Sequence, residues 1–223
     1  TGINTHPEFG KLVAKELNKI TGIKFTEAKN HFEAQATQDS TLQVSGSIRG
    51  LAVSLSKISN DVRLLGSGPR AGIGELNIPA VQPGSSIMPG KVNPVICESL
   101  IQVCAQVMGN DQAISLGAQG GYFELNVMMP VMQYKLLDSI SILTSAMKVF
   151  TDKCIKGITA NEDRCKQYAT NSMSIVTALN PYIGYSKAAD IAKESLLTGK
   201  SISYLIRKKI NFIIKIWEGL EKY

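Results

Sequence analysis

One run of eleven residues near the middle of this 223-residue chain has the types and spacing to do chemistry: Gly84-Ser85-Ser86-Ile87-Met88-Pro89-Gly90-Lys91-Val92-Asn93-Pro94. Asn93-Pro94 predicts a cap followed by a proline at the first helical position, so a helix N-terminus with unpaired N–H groups and the positive end of a dipole starts there. Lys91 stands two residues before that end. A cation, an amide side chain and a helix end converging on one spot make a receptor for a carboxylate or a phosphate. Gly84 and Gly90 let the backbone turn tightly beside a bound group and leave Ser85 and Ser86 at the tip. A serine is a poor base in water because its alkoxide is strongly disfavoured, and N–H groups around it together with Lys91 would lower that cost. The plainer alternative is a solvated loop whose lysine and asparagine only cap a helix. Glu98 falls one turn into the helix opened by Pro94 and could face the same spot, although an exposed first-turn glutamate favoured by the helix dipole explains it equally well.

The elements around this loop read as helices. Thr5-His6-Pro7-Glu8 predicts a capped start, followed by Phe9, Leu12, Val13, Leu17 and Ile20 at helical spacing, with Gly22 as the stop. Ile48, Leu51, Leu55, Ile58, Val62 and Leu65 alternate steps of three and four, which predicts a long bundle helix from near Ser40 to Gly66. Gly66 to Asn93 is rich in Gly, Ser and Pro, and a long connection of that kind inside a compact domain is usually functional or mobile. Helix resumes at Pro94 with Ile96, Leu100, Val103, Val107 and Ile114, and Asn110 occupies one seam position, where a polar residue fixes register. A third seam runs from Pro130 through Leu136, Ile140, Leu143, Met147, Phe150 and Cys154. Beyond Gly157 the helices shorten: Asn161 caps one, Ser186 or Lys187 opens another ending near Gly199, and Asn180-Pro181 breaks the chain between them. No alternating strand pattern and no internal repeat is visible, so the predicted class is all-α.

The eleven-residue loop matches, without a gap, the signature loop of the fumarase/aspartase superfamily, and the chain resembles its class II fumarase branch. The likeness covers about residues 1 to 200. It includes Thr1-Gly2-Ile3-Asn4-Thr5-His6-Pro7-Glu8-Phe9, Ser67-Gly68-Pro69-Arg70, Val107-Met108-Gly109-Asn110-Asp111 and Ala178-Leu179-Asn180-Pro181-Tyr182-Ile183-Gly184-Tyr185. The resemblance implies reversible, cofactor-free hydration of fumarate to L-malate by a homotetramer whose sites are each built from three subunits. By the same resemblance Ser85 is the base that takes the proton from C3 of malate, Lys91 and Asn93 bind a substrate carboxylate, and Glu98 orients a catalytic histidine. That histidine has no match here. His6 reads as a first-turn surface residue and His31 as part of a polar linker, so the resemblance places the catalytic histidine upstream of Thr1. The family bundle also has five long helices, of which three are expected here.

Aspartate ammonia-lyase is the rival inside the superfamily. Gly90, where aspartases tend to carry alanine, together with Thr5-His6-Pro7-Glu8-Phe9 and Tyr185-Ser186-Lys187-Ala188-Ala189, favours the hydratase. From another class comes a non-catalytic helical piece that only assembles. The chain opens on threonine rather than methionine, so a processed, truncated or split subunit is expected. The expected organisation is a bundle portion at 1–156 carrying the loop, a small helical domain at 157–200, and a divergent tail at 201–223. That tail is Ile- and Lys-rich where the family is acidic and Leu-rich, as a basic amphipathic membrane-surface segment or a changed reading frame would give, and its removal should cost less than about 1 kcal/mol.

Composition limits the other function classes. Hydrophobic residues make up 44% and charged residues 19%, which suits a globular chain, and no apolar stretch reaches the length of a membrane span. The net charge of +6 is half accounted for after Ser201, where five basic residues face two acidic ones, so the body has no basic stripe for nucleic acid. Cys97, Cys104, Cys154 and Cys165 show no metal-site spacing and read as reduced thiols in a cytoplasm-like compartment, or the mitochondrial matrix of a eukaryote.

Overall fold

The computed structural model describes residues 2–68 and 70–209, which form two units. One contains the chain up to Ser67 together with Ile78–Ile158, and the other contains Gly68–Asn77 and the chain from Thr159 onward. In the first unit, helix α1 (Phe9–Thr21) carries the predicted apolar face and ends at Gly22, whose φ of +70° is the left-handed geometry of a glycine stop. Its start differs from the expected Thr5 cap. The Thr5 hydroxyl donates to the Gly2 carbonyl (2.7 Å), and the Glu8 N–H goes to His6 Nδ1 (3.2 Å), so the first helical turn forms only at Phe9. A short helix α2 (His31–Ala36) occupies what the sequence presented as linker, because Asn30 Oδ1 accepts the Phe32 and Glu33 N–H groups and caps it.

The body of this unit is three long helices: α3 (Asp39–Leu65), α4 (Val95–Gln119) and α5 (Met129–Lys153). Helix α4 packs against both of the others. On α3 the innermost residues are Ser45, Ala52 and Ser59, spaced by seven, and their small side chains let the α4 backbone approach. Ile48, Leu55 and Val62 flank them against the shared core, whereas Leu51 and Ile58, predicted in the same seam, are 43% and 46% exposed. Small polar residues, which a hydrophobic pattern ignores, hold the centre of that face. Helix α5 shows the same departure: Ser139 is buried and Ile140 is 41% exposed.

The cause is the polar level around Asn110. Its amide donates to Ser139 Oγ and Asp138 Oδ2, both at 3.0 Å, and its Oδ1 accepts from Gln106 Nε2 (2.9 Å). A buried amide has to be paired, and that pairing turns the Ser139 face of α5 inward. One residue on, Asp111 accepts from Ser45 Oγ (2.6 Å) and Arg49 Nη1 (3.0 Å), fixing α3 against α4. Leu100, Cys104, Val107, Leu143 and Phe150 fill the apolar levels between α4 and α5.

The second unit is built on an antiparallel pair, β1 (Leu76–Asn77) with β2 (Thr159–Ala160), followed by α6 (Glu162–Asn171). Asn161 caps α6 by accepting the Arg164 N–H (3.3 Å), and the Arg164 side chain reaches the carbonyls of Ile73 (3.1 Å) and Gly72 (3.0 Å). Asn180-Pro181 opens the single turn α7 (Asn180–Ile183), and α8 (Tyr185–Thr198) ends at Gly199 with φ +68°. The expectation that the chain after Ser201 stands apart fails over α9 (Ile202–Lys209). Ile202, Leu205 and Ile206 are 3%, 0% and 1% exposed and pack with Val176, Leu179, Ala188 and Ile191, because their spacing puts three apolar side chains on one helical face. The rest of the predicted tail, 210–223, lies outside the described residues. The class is all-α with one two-residue strand pair, and among the described residues no helix is long and apolar enough to cross a membrane.

Two outcomes follow from this packing. Leu205→Ala should lower the stability of the second unit by about 2–5 kcal/mol, the range for truncating a buried leucine, as read by urea denaturation. A loss below about 1 kcal/mol would return the segment to the status of a loose tail. On α3, Val44, Leu51 and Ile58 form an exposed apolar line at heptad spacing, so the purified chain should self-associate and Leu51→Lys should weaken that association. A wild type that is monomeric by light scattering at all concentrations would contradict this.

Candidate active site

The predicted loop leaves and rejoins the bundle at well-packed points. Ile78 lies over Gly66, the residue that ends α3, and Pro79 lies against Gly157, where an added Cβ would meet the proline ring at 2.6 Å. On the return side, Cys97 in the first turn of α4 is fully buried. Its carbonyl accepts from Ser59 Oγ (3.0 Å), and its sulfur lies 3.8 Å from Cys154 Sγ at the end of α5. Burial, reinforced by the neighbouring Cys97, pushes the Cys154 thiol up to about 12, so Cys154 packs as an apolar group rather than acting as a nucleophile.

Between these anchors the loop closes on itself. The Gly84 N–H donates to the Lys91 carbonyl (2.7 Å), and the Asn93 side-chain amide donates to the Gly84 carbonyl (3.2 Å). Glycine is required there because a Cβ would fall 2.7 Å from the Lys91 oxygen and 2.9 Å from the Asn93 nitrogen. The far end of the loop is a Met88-Pro89-Gly90-Lys91 turn closed by the Lys91 N–H to the Met88 carbonyl (3.2 Å), with Gly90 at φ +80°. Proline second and a left-handed glycine third are the residues that such a turn demands. Ser85 is half-buried beside the closure, and its Oγ accepts the Ile87 N–H (3.2 Å). Ile87 and Met88 at the tip are exposed.

All four predicted residues lie at this end of the bundle. Ser85, Lys91 and Asn93 share the closed loop, and Glu98 stands half-buried in the first turn of α4, where its N–H donates to the Pro94 carbonyl (3.1 Å). The predicted cap is not made. Asn93 spends its amide on Gly84, Pro94 takes the cap position, and α4 begins at Val95 with no side-chain cap. The Val95 N–H turns back to the Asn93 carbonyl (2.9 Å), and with no side chain over it the helix end presents the positive end of its dipole to an anion. The donor to Ser85 is a backbone N–H, which no side-chain pattern could have signalled. Neither histidine takes part: His6 accepts from the Glu8 backbone, and His31 Nε2 lies 3.3 Å from Glu27 Oε1. Chemically, the arrangement offers a hydroxyl oxygen already holding one N–H donor, one exposed ammonium, one amide and an open helix N-terminus.

A family model described as lyase matches residues 1–109, and one described as fumarase C C-terminus matches residues 175–210. Between them they cover more than half of the chain. The aspartate ammonia-lyase of Helicobacter pylori strain 26695 is 53% identical over 211 residues, 94% of this chain and 45% of its own length. The class II fumarate hydratase of Corynebacterium efficiens is 53% identical over 203 residues, 91% of this chain and 43% of its own. The crystal structure of class II fumarase from Schistosoma mansoni superposes with a TM-score of 0.85 at 36% identity, covering 93% of this chain and 47% of that one. This chain therefore spans less than half the length of the relatives it matches. The likeness runs past the predicted limit near residue 200, since the C-terminal family match ends at 210, consistent with the burial of α9.

The closed loop predicts a graded exchange pattern. Amides of Gly84 and Lys91, both donors to carbonyls, should exchange slowly, while those of Ser86 and Gly90 should exchange fast. Uniform fast exchange from Gly84 to Asn93 in the ligand-free chain would show that the closure does not form in solution.

Proposed function

Because this chain belongs to the fumarase/aspartase superfamily of lyases, we propose that it is the carboxyl-terminal share of a fumarate hydratase, interconverting fumarate and L-malate in the tricarboxylic acid cycle. The observation that supports this most directly is the loop itself, which gathers Ser85, Lys91 and Asn93 beside the uncapped start of α4, with Glu98 one turn in. In this reading Ser85 Oγ removes the C3 proton of malate. The electron pair left on C3 delocalises into the adjacent carboxylate as an aci-carboxylate, and Lys91 and Asn93 hold that carboxylate as its charge grows. The C2–oxygen bond then breaks and water departs with a proton from an acid on the other face. The Ile87 N–H at Ser85 Oγ stabilises the alkoxide in the same sense.

The catalytic histidine of that scheme, which Glu98 would orient, has no match among the residues of this chain and is assigned to the family's N-terminal segment. The complete site is assigned to a homotetramer with cytoplasmic residence. A second reading, aspartate ammonia-lyase, is supported by the Helicobacter relative, whose identity equals that of the hydratase over a slightly longer stretch. Gly90 at φ +80° favours the hydratase over the alanine that aspartases tend to carry.

The test is complementation. The chain alone should show no turnover, and adding a family N-terminal segment with the histidine should restore fumarate loss, followed by its ultraviolet absorbance. Ser85→Ala should abolish the restored activity, and Lys91→Ala should lower it by about 10²–10⁴-fold. Ammonia release from L-aspartate without malate turnover would select the second reading. Rescue indifferent to Ser85 would leave only an assembly role.

A further inference from the structure

We propose that Gly84 and Asn93 are positioning residues that form a clasp between the carboxylate receptor and Ser85, so that a ligand held by Lys91 and Asn93 sets the place of the serine oxygen. This rests on reading the loop as a dicarboxylate site, and it goes beyond that reading in assigning Gly84 a role and Asn93 a second one. Both backbone groups of Gly84 are committed to the returning arm of the loop: its N–H to the Lys91 carbonyl at 2.7 Å, its carbonyl to the Asn93 amide at 3.2 Å. The Asn93 side-chain nitrogen carries two hydrogens, so one bond to Gly84 leaves the second N–H for a bound carboxylate. A group drawn toward Lys91 and Asn93 thus pulls on an arm bonded twice to the residue immediately before Ser85. At the tip the side chains of Ile87 and Met88 are exposed and make none of the clasp's bonds, while their backbone is tied to Ser85 and Lys91.

The contact tolerates only glycine. A methyl group on Gly84 would sit 2.7 Å from the Lys91 oxygen, 3.0 Å from its carbonyl carbon and 2.9 Å from the Asn93 nitrogen, all of them backbone atoms that cannot rotate away. Gly84→Ala therefore parts the two arms by pushing on the Lys91 and Asn93 backbone, while it leaves the side chains of Lys91, Asn93 and Ser85 unchanged in type.

The experiment is an L-malate titration of the full chain, complemented with the N-terminal segment that carries the histidine, followed by amide NMR, in wild type and Gly84→Ala, with melting curves to verify that the bundle is intact. In wild type the Lys91, Ser85 and Ile87 signals should shift together with one dissociation constant, and the residue-84 amide should exchange about fivefold more slowly than in the variant. In Gly84→Ala the Lys91 signals should still shift with an affinity within about threefold, while those of Ser85 and Ile87 stop following the ligand. The complemented enzyme should lose kcat by about 10²-fold with KM nearly unchanged, a split that a general loss of loop structure would not give. Asn93→Asp, which removes the donor to Gly84, should also speed the Gly84 exchange. Ser85 signals that follow malate equally well in Gly84→Ala, or that ignore it in a wild type whose Lys91 responds, overturn the clasp. A wild type in which no loop residue responds overturns the hydratase reading itself, and this coupling with it.

Discussion

A buried carboxylate sets the frame of the first unit. Asp111 sits between α3 and α4, 4% exposed, and is satisfied by the Ser45 hydroxyl and the Arg49 guanidinium. An ionised carboxylate in that position is tolerable only while both partners stay in place, so sliding α3 along α4 by even one residue would strand it. The neighbouring Asn110 does the same between α4 and α5 through Asp138 and Ser139. These two adjacent residues lock all three helices to one register. Apolar contacts among Leu100, Cys104, Val107 and Leu143 supply attraction, but they would tolerate several alignments, and the polar level selects one.

That register has a consequence about four turns away. The start of α4 is where the candidate chemistry sits, and its position relative to α3 and α5 follows from the alignment at Asn110 and Asp111. Ser59 and Cys154 then hold the first turn from both sides through Cys97. The loop itself needs no packing from the bundle to keep its shape, because its closure is internal: Gly84 to Lys91, Asn93 to Gly84, Lys91 to Met88. A rigid platform and a self-closed loop suit the proposed role of holding one end of a dicarboxylate, with the side chains of Ile87 and Met88 exposed at the tip.

Which parts of this were legible in the sequence depends on what each part is made of. The long helices were visible because apolar residues recur at three and four, and the ends of the shorter α1 and α8 because Gly22 and Gly199 are glycines that adopt left-handed φ. The faces were less legible. Leu51, Ile58 and Ile140 fit the apolar period yet lie outside the core of this chain, while Ser45, Ser59 and Ser139 lie inside it. Hydrophobicity identifies surfaces that have to be covered and leaves open whether the cover comes from the same chain. Serines that bond to a neighbouring helix carry no mark in a pattern of hydrophobicity. The stretch 202–209 was misjudged because the basic Arg207, Lys208 and Lys209 stand out in it, whereas Ile202, Leu205 and Ile206 decide its packing.

The site shows the same division at finer scale. Lys91 and the turn at Pro89-Gly90 follow from residue type and spacing alone, since a left-handed third position after proline leaves few alternatives. Asn93 was expected to cap α4, and the geometry of Pro94 explains why it does not. With its φ near −78° and ψ near +59°, the proline itself occupies the cap position and moves Asn93 one residue further out, where its amide meets the Gly84 carbonyl. The helix start is left without a side-chain cap, and the loop gains its second closing bond. One displacement by a single residue thus accounts for two features of the site: a helix start whose dipole no side chain caps, and a loop closed by the Asn93 amide on the residue before Ser85.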